Sequence, residues 1–253
     1  MVATSRWSCT LKLEICVDSV DSAIAAQEGG ADRVELCADL DHDGTTPDAG
    51  LIGSVRERIS IGLFVMIRPR PGNFCYSDHE FGVMQRDIEI AKRLGADGVV
   101  LGMLTKDGDV DVPRCKALLE LARPSSATFH RAFDECRNLH QAIDDLKTMG
   151  IDRVLTSGGR GDIGRNSIVI ADLVRSARGS LEIMAGGGVR FENVTGLIRE
   201  TGVREIHALS AVSNIVGHST RGAGLTNSSK RLVDVQRVRS LVQLLRDSSP
   251  DAH

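Results

Sequence analysis

Residues 11–37, LKLEICVDSVDSAIAAQEGGADRVELC, contain two short apolar runs separated by an amphipathic segment. The runs at 11–17 and 31–37 have the length of β-strands, and the segment between them ends at Gly30, where a helix C-terminus often takes a left-handed residue. A helix between two strands usually returns the chain so that the second strand runs parallel to the first. This stretch therefore predicts a β–α–β unit.

The same alternation continues along the chain. Further strands are predicted at 63–69, 98–104, 127–133, 153–158, 181–187 and 205–210. Ser77 and Glu80 form a capping-box pattern before one of the intervening helices. Eight β–α units in strict order predict a parallel sheet that closes into a barrel. We therefore predict an α/β protein, a single (βα)8 TIM barrel over residues 1–253, because no linker divides the chain.

The composition of the chain limits the kinds of binding partner and the cellular compartment that we expect. The chain has a net charge of -3 and a pI near 6.2, which argues against a nucleic-acid or acidic-membrane partner. No apolar run approaches the roughly 20 residues that span a bilayer, and the first residues lack a signal-peptide pattern. The six cysteines contain no C-x-x-C pair, so neither a disulfide framework nor a zinc ribbon is indicated. We expect a cytoplasmic protein with reduced thiols.

Strand parity predicts which side chains face the barrel interior, because alternate residues of a strand face opposite sides. The aliphatic residues Leu13, Ile15 and Val17 should pack outward on the helices, which leaves Glu14 and Cys16 inside. The same alternation places a further set inside: Arg33, Glu35, Cys37, Phe64, Met66, Arg68, His130, Glu182, Met184 and His207. The strands at 98–104 and 153–158 give no clear parity.

An interior with this many charges is unusual, because TIM barrels mostly fill these layers with branched aliphatic residues. Buried charges are unfavourable unless they are paired. One interpretation is a structural network of ion pairs among Glu14, Glu35, Arg33 and Arg68. The other is a charged pocket for a small ligand at the C-terminal ends of the strands, where barrels of this type carry their sites.

Several motifs follow one another in an order that is similar to one family. They are LEICVDSVDSAIAAQEGGADRVELC at 13–37, VMIRPRPGNFCYSDHE at 65–80, LGMLTKDGDVD at 101–111, TFHRAFDECRN at 128–138, VLTSGG at 154–159 and MAGGGV at 184–189. Together they closely resemble the CutC copper homeostasis family, from about residue 11 to about residue 210. The resemblance implies a TIM-type barrel, copper handling in the cytoplasm and Cu(I) binding by Cys16 and Cys37. The loop DHDGTTPDAG at 41–50, Pro71, Asn73 and the segment after 210 depart from the family pattern.

The residues themselves allow a soft-metal site. Cys16 and Cys37 share inward parity near the ends of adjacent strands, which lie about 4.8 Å apart. Thiolates are the ligands that Cu(I) prefers, so the pair can hold this ion as a cofactor, with Met66 or His207 as a third donor. The alternative is that both cysteines are small apolar core residues.

A second hypothesis is an uncharacterised enzyme acting on a small anionic or phosphorylated molecule. Loops after the last two strands often bind phosphate in this fold, and Gly187 and Gly188 follow strand 181–187. Additional anion contacts are predicted for Arg68, Arg70, Ser157, Gly158 and His207. Candidates for acid–base catalysis are Glu14, Glu35 and His130.

A third hypothesis is a binding or assembly protein with an inert barrel, which the polar mouth disfavours. The sequence does not decide whether the protein is an enzyme, and we expect a homo-oligomer, either a dimer or a tetramer. The segment 217–230, GHSTRGAGLTNSSK, is polar and rich in glycine and serine. It is predicted to be a flexible loop, either disordered or a mobile lid over the mouth.

Overall fold

A computed structural model describes residues 11–177, 179–217 and 229–248 of the chain. Eight parallel strands close into a barrel in sequence order. The strands are β1 (Lys12–Val17), β2 (Arg33–Leu36), β3 (Gly62–Met66), β4 (Gly98–Leu101), β5 (Ser126–Phe129), β6 (Arg153–Thr156), β7 (Glu182–Ala185) and β8 (Glu205–Ala208). The predicted (βα)8 TIM barrel is confirmed.

Helices follow the strands and cover the outside of the barrel. They are α1 (Val20–Gly29), α2 (Ala49–Arg56), α3 (Asp78–Arg93), α4 (Val112–Ala122), α5 (Leu139–Met149), α6 (Ser167–Ala177), α7 (Phe191–Thr201) and α8 (Val235–Asp247). The capping box predicted from Ser77 and Glu80 begins α3. None of the helices in the described ranges has the length and apolar character needed to cross a membrane.

The barrel has an aliphatic outer layer and a largely polar interior. Leu13, Ile15 and Val17 belong to the large core between the sheet and the helices, as parity predicts. Glu14 lies beside Arg33 of β2 and His207 of β8 in the parallel register. Across the interior, a small second apolar cluster contains Cys16, Cys37, Phe64, Met66 and Val100.

The inner and outer layers also show which residues face inward on the strands predicted at 98–104 and 153–158, where the sequence shows no clear parity. Val99 and Leu101 of β4 pack outward while Val100 joins the inner cluster. On β6, Val154 packs in the outer core, whereas Arg153 donates a hydrogen bond to Glu205 inside the barrel. The two core clusters thus show which β4 residues face inward. The sequence left this open, because every residue at 98–104 is apolar or glycine.

Most strands end earlier than predicted at the C-terminal side. The largest difference is at 127–133, where β5 stops at Phe129 and residues Arg131–Glu135 form a 3-10 helix. The ring of His130 accepts a hydrogen bond from the backbone N–H of Ala132, which turns the chain out of the sheet. Apolar residues beyond the strand, such as Phe133, still pack in the core, and this explains why they resemble strand residues in the sequence.

The predicted loop 217–230 has ordered ends. Strand β9 (Ser213–Gly217) pairs antiparallel with β10 (Ser229–Val233), with Gly217 opposite Ser229. The prediction of a loop over 217–230 is therefore wrong at its ends, because Gly217, Ser229 and Lys230 belong to the paired strands. Residues 218–228 lie outside the described residues.

Candidate functional site

Two cysteine thiols meet at the mouth of the barrel. Cys16 lies near the end of β1, and Cys37 follows β2, held there by a hydrogen bond from its backbone N–H to the carbonyl of Val17. Both side chains are buried, and their Sγ atoms are 3.8 Å apart. Ligand atoms of Cys16, Cys37 and Glu35 all lie within 4.8 Å of one another. The structure thus brings together the cysteine pair that parity placed inside.

Both thiols are protonated at neutral pH. The hydrogen bond with Cys37, followed by burial and the nearby Glu35, raises the pKa of Cys16 well above its usual range. The hydrogen bond from Cys16 works to lower the pKa of Cys37, but burial and the charge of Glu35 outweigh it and raise that pKa to about 11. Metal binding at neutral pH therefore displaces a proton from each thiol that becomes a ligand.

A network of ion pairs lies beneath the thiols. Glu14 accepts from Arg33 Nε at 2.5 Å and contacts His207 Nδ1 at 2.8 Å. Arg33 and Arg153 both donate to Glu205, which completes a buried chain of alternating charges. The structural interpretation of the polar interior is therefore correct for Glu14 and Arg33, and Glu205 and Arg153 are members that the sequence did not indicate.

The charges within this network determine the protonation states of Glu14 and His207. Burial works to raise the pKa of Glu14, but Arg33 and His207 outweigh it and lower the pKa to about 2. Burial likewise works to lower the pKa of His207, but Glu35 and Glu14 raise it well above its usual range. Because His207 Nε2 lies 3.6 Å from Glu35 Oε2, a charged imidazole connects the network to the thiol pair.

An open cavity of about 1220 Å³ occupies the mouth. Eight of the predicted site residues line it: Cys16, Glu35, Cys37, Arg68, His130, Gly187, Gly188 and His207. The structure does not bring Glu14, Arg70, Ser157 or Gly158 to its wall. Glu14 is fully buried in the network below, where it cannot contact a ligand in the cavity.

Arg70 is occupied by its own loop. Its guanidinium donates to Glu80 at 2.5 Å and to the carbonyls of Pro71, Asn73 and Cys75. These contacts tie the loop after β3 to the start of α3. The sequence could not separate Arg70 from Arg68, because both follow the same strand two residues apart.

Ser157 contacts a buried carboxylate that sequence reasoning missed, and Gly158 donates its N–H to the neighbouring Thr156 Oγ1. Asp134 accepts hydrogen bonds from Thr156 Oγ1 at 2.5 Å, from the backbone N–H and Oγ of Ser157, and from the N–H of Gly159. Arg131 Nε adds an ion pair at 2.8 Å. The turns after β5 and β6 are thus joined at one side chain. The acidic residue closing FHRAFD, at the end of a predicted strand, was the available signal.

His130 is a neutral imidazole with a defined tautomer. Its Nδ1 accepts from the N–H of Ala132 at 3.1 Å, so the ring proton lies on Nε2. Burial, with the charge of Arg68, lowers the pKa of His130 to about 3. Among the described residues, Nε2 has no hydrogen-bond partner.

The glycine turn after β7 allows close approach of two side chains. A Cβ on Gly187 would lie 3.0 Å from Arg131 Cζ, and one on Gly188 would lie 2.5 Å from Asp162 Oδ2. Both residues also have positive φ, at 85° and 103°. Packing and backbone conformation therefore already require glycine at both positions, and phosphate binding at this turn stays a prediction.

Comparison with known proteins gives a consistent picture. The CutC family profile matches residues 11–212. The chain is 42% identical over 243 residues to the copper homeostasis protein cutC homolog of Mus musculus, covering 93% of this chain and 89% of that protein. It is 46% identical over 237 residues to the family protein CutC of Xanthomonas campestris, covering 92% and 98% of the two chains.

A solved structure agrees with these relatives. The copper homeostasis protein CutC from Streptococcus agalactiae superimposes with a TM-score of 0.74 at 36% sequence identity, covering 78% of this chain and 98% of that one. Profile, sequence identity and fold thus agree over most of the chain. The chain belongs to the CutC family.

Proposed function

We propose that this protein binds Cu(I) through the thiolates of Cys16 and Cys37 and takes part in copper homeostasis in the cytoplasm. The observation that carries the proposal is the 3.8 Å separation of the two sulfurs on the wall of an open cavity. Two metal–sulfur bonds of about 2.3 Å, the length found for zinc thiolates, can span this distance. Family membership, with relatives named for copper homeostasis, supports the same role.

The donor set suits a soft ion. Cu(I) prefers thiolate and thioether sulfur, and the inner cluster supplies Met66 beside Cys37. A Cβ on Gly44 would lie 3.1 Å from Cys37 Sγ and 3.7 Å from Met66 Cε, so both sulfur side chains surround the same glycine. His207 is a poorer third donor, because its two nitrogens face Glu14 and Glu35. We therefore favour Met66 as the additional ligand.

An anaerobic Cu(I) titration against a competing chelator tests the proposal. We expect one tightly bound ion in the parent protein and at least about 100-fold weaker binding in the Cys16→Ser/Cys37→Ser double variant, since even outer-sphere partners contribute about 10- to 100-fold. Cys75→Ser is the matched control, because Cys75 lines the same cavity but has its Sγ 3.2 Å from the carbonyl of Thr105. Equal affinity in the double variant would contradict the assignment.

The compartment and assembly state are part of the proposal. All five cysteines in the described ranges are free, which suits a reducing compartment. We also expect a homo-oligomer, and light scattering after size-exclusion chromatography distinguishes a monomer from a dimer or tetramer.

A further inference from the structure

Arg68 brings a buried positive charge to the cavity wall, and no counter-charge pairs with it in the described ranges. Its side chain is 4% exposed, and its terminal nitrogens donate to the carbonyls of His42, Gly44 and Gly72 at 2.7–3.1 Å. Within the described part of the chain, no carboxylate pairs with this guanidinium, and its Nε has no partner. Backbone carbonyls satisfy hydrogen bonds but leave the net charge uncompensated, which is unfavourable in a buried position.

His130 lies next to this charge and carries an unused donor. The ring of Phe74 contacts both groups, 5.2 Å from Arg68 Cζ and 5.0 Å from the His130 ring. The imidazole lies directly on Gly102, where a Cβ would be 2.6 Å from its Cε1. His130 is 3% exposed and lines the cavity, and no acceptor for its Nε2–H is found among the residues that the structure describes. A donor held in one orientation before any ligand arrives is typical of a binding site.

The cavity is much larger than an ion requires. Its volume of about 1220 Å³ exceeds the range of about 300–1,000 Å³ that is typical of small-molecule pockets. Apolar side chains line it beside the charged ones, including Leu40, Phe74, Leu104 and Leu155. Charged side chains of both signs line it as well, among them Asp41, Lys106 and Arg190, so the wall offers an organic ligand both apolar surface and polar contacts.

We propose that the Arg68–Phe74–His130 side of the mouth binds a small organic anion, whose negatively charged oxygen accepts from His130 Nε2–H and neutralises Arg68. The shared chemistry is an oxyanion on a compact organic body, either a carboxylate or a phosphate ester. The proposed site shares the cavity with the cysteine pair but uses other side chains of its wall, and it goes beyond copper binding. It gives a defined position to the anionic ligand that the sequence suggested for this mouth.

Nuclear magnetic resonance of protein with isotope-labelled histidine tests this directly. Glycerol 1-phosphate, whose only anionic group is a phosphate ester, and malonate, whose only anionic groups are carboxylates, serve as the two probes. We expect the His130 Nε2–H resonance to shift and its exchange with water to slow as a probe saturates. A response to glycerol 1-phosphate alone assigns a phosphate ester, and a response to malonate alone assigns a carboxylate.

A matched pair of variants isolates the donor. In His130→Asn, the side-chain oxygen can still accept from Ala132 but nothing replaces Nε2, so the probe should bind about 10-fold more weakly or worse. His130→Gln carries an amide N–H near the Nε2 position and should recover part of the affinity. Unshifted Nε2–H signals with both probes, or equal affinity in parent and His130→Asn, would overturn the proposal.

The copper assignment is tested separately. The Cys16→Ser/Cys37→Ser variant should bind the probe as the parent does, and His130→Asn should retain parental Cu(I) affinity. Loss of probe binding in the cysteine variant would overturn a separate anion site while leaving the copper proposal intact.

Discussion

The thiols of Cys16 and Cys37 are protonated before metal binds, and this gives Cu(I) affinity a pH dependence. The pKa of Cys37 is raised to about 11, and that of Cys16 is raised well above its usual range. Each thiolate that binds metal releases a proton, so the apparent affinity should increase with pH, by up to about 100-fold per unit for two thiols. Chelator competition at several pH values between about 6 and 9 measures the slope. An affinity that does not change with pH would contradict thiolate ligation.

Glu35 affects the same thiols through its charge. Its carboxylate raises the pKa of both cysteines, and its Oε1 has no partner among the described residues. Glu35→Gln removes this charge, so we expect faster alkylation of the thiols by iodoacetamide and undiminished Cu(I) affinity at neutral pH. Glu57→Gln, an exposed change after α2, is the control. Weaker Cu(I) binding in Glu35→Gln would instead identify Glu35 as a ligand.

At the scale of elements, Asp134 joins the ends of β5 and β6. It accepts from Thr156, Ser157 and Gly159 and pairs with Arg131. Asp134→Asn places an amide N–H among these donors and should lower the free energy of unfolding by about 3 kcal/mol.

Denaturant unfolding of this variant beside Asp172→Asn measures the effect. Asp172 is also paired with an arginine, at 2.9 Å, but its side chain is 44% exposed, so its loss should change the free energy by less than about 1 kcal/mol. Similar losses in both variants would mean that the buried turn contributes no more than a surface pair.

The elements also show where sequence patterns stop being informative. Helix starts were predictable because capping depends on neighbours three residues away, as with Ser77 and Glu80. Strand ends were not, because residues such as Phe133 remain buried after the chain has left the sheet. The ends of the loop predicted at 217–230 could not be placed either, because the pairing of Gly217 with Ser229 depends on two chain segments meeting in space.

For the whole molecule, the interior charge network links stability to pH. The pKa of Glu14 is lowered from 4.5 to about 2 in the folded state. The stabilisation from Glu14 is therefore fully present above about pH 4.5 and is lost as the pH falls toward 2, a total of about 3 kcal/mol.

Unfolding of the parent and Glu14→Gln across this range tests the linkage. The variant should be less stable than the parent at neutral pH, because Arg33 and His207 lose a partner, and the difference should shrink as the pH approaches 2. Glu192→Gln, an exposed change in α7, should match the parent at each pH. A difference that stays constant with pH would show that Glu14 contributes no proton-linked stability.

The sequence by itself determined the barrel and the inner face of its first strands, because eight β–α units and strict alternation are local patterns. It also placed Cys16 and Cys37 on the same face, since parity extends along each strand and both lie near strand ends. Only the tertiary structure decided which charges meet. Arg70 pairs with Glu80, whereas Arg68 pairs with no carboxylate of the described segments, and Glu14 is buried beneath the cavity that Glu35 lines. Pairing and access depend on distances between residues far apart in the chain, which a linear pattern does not contain.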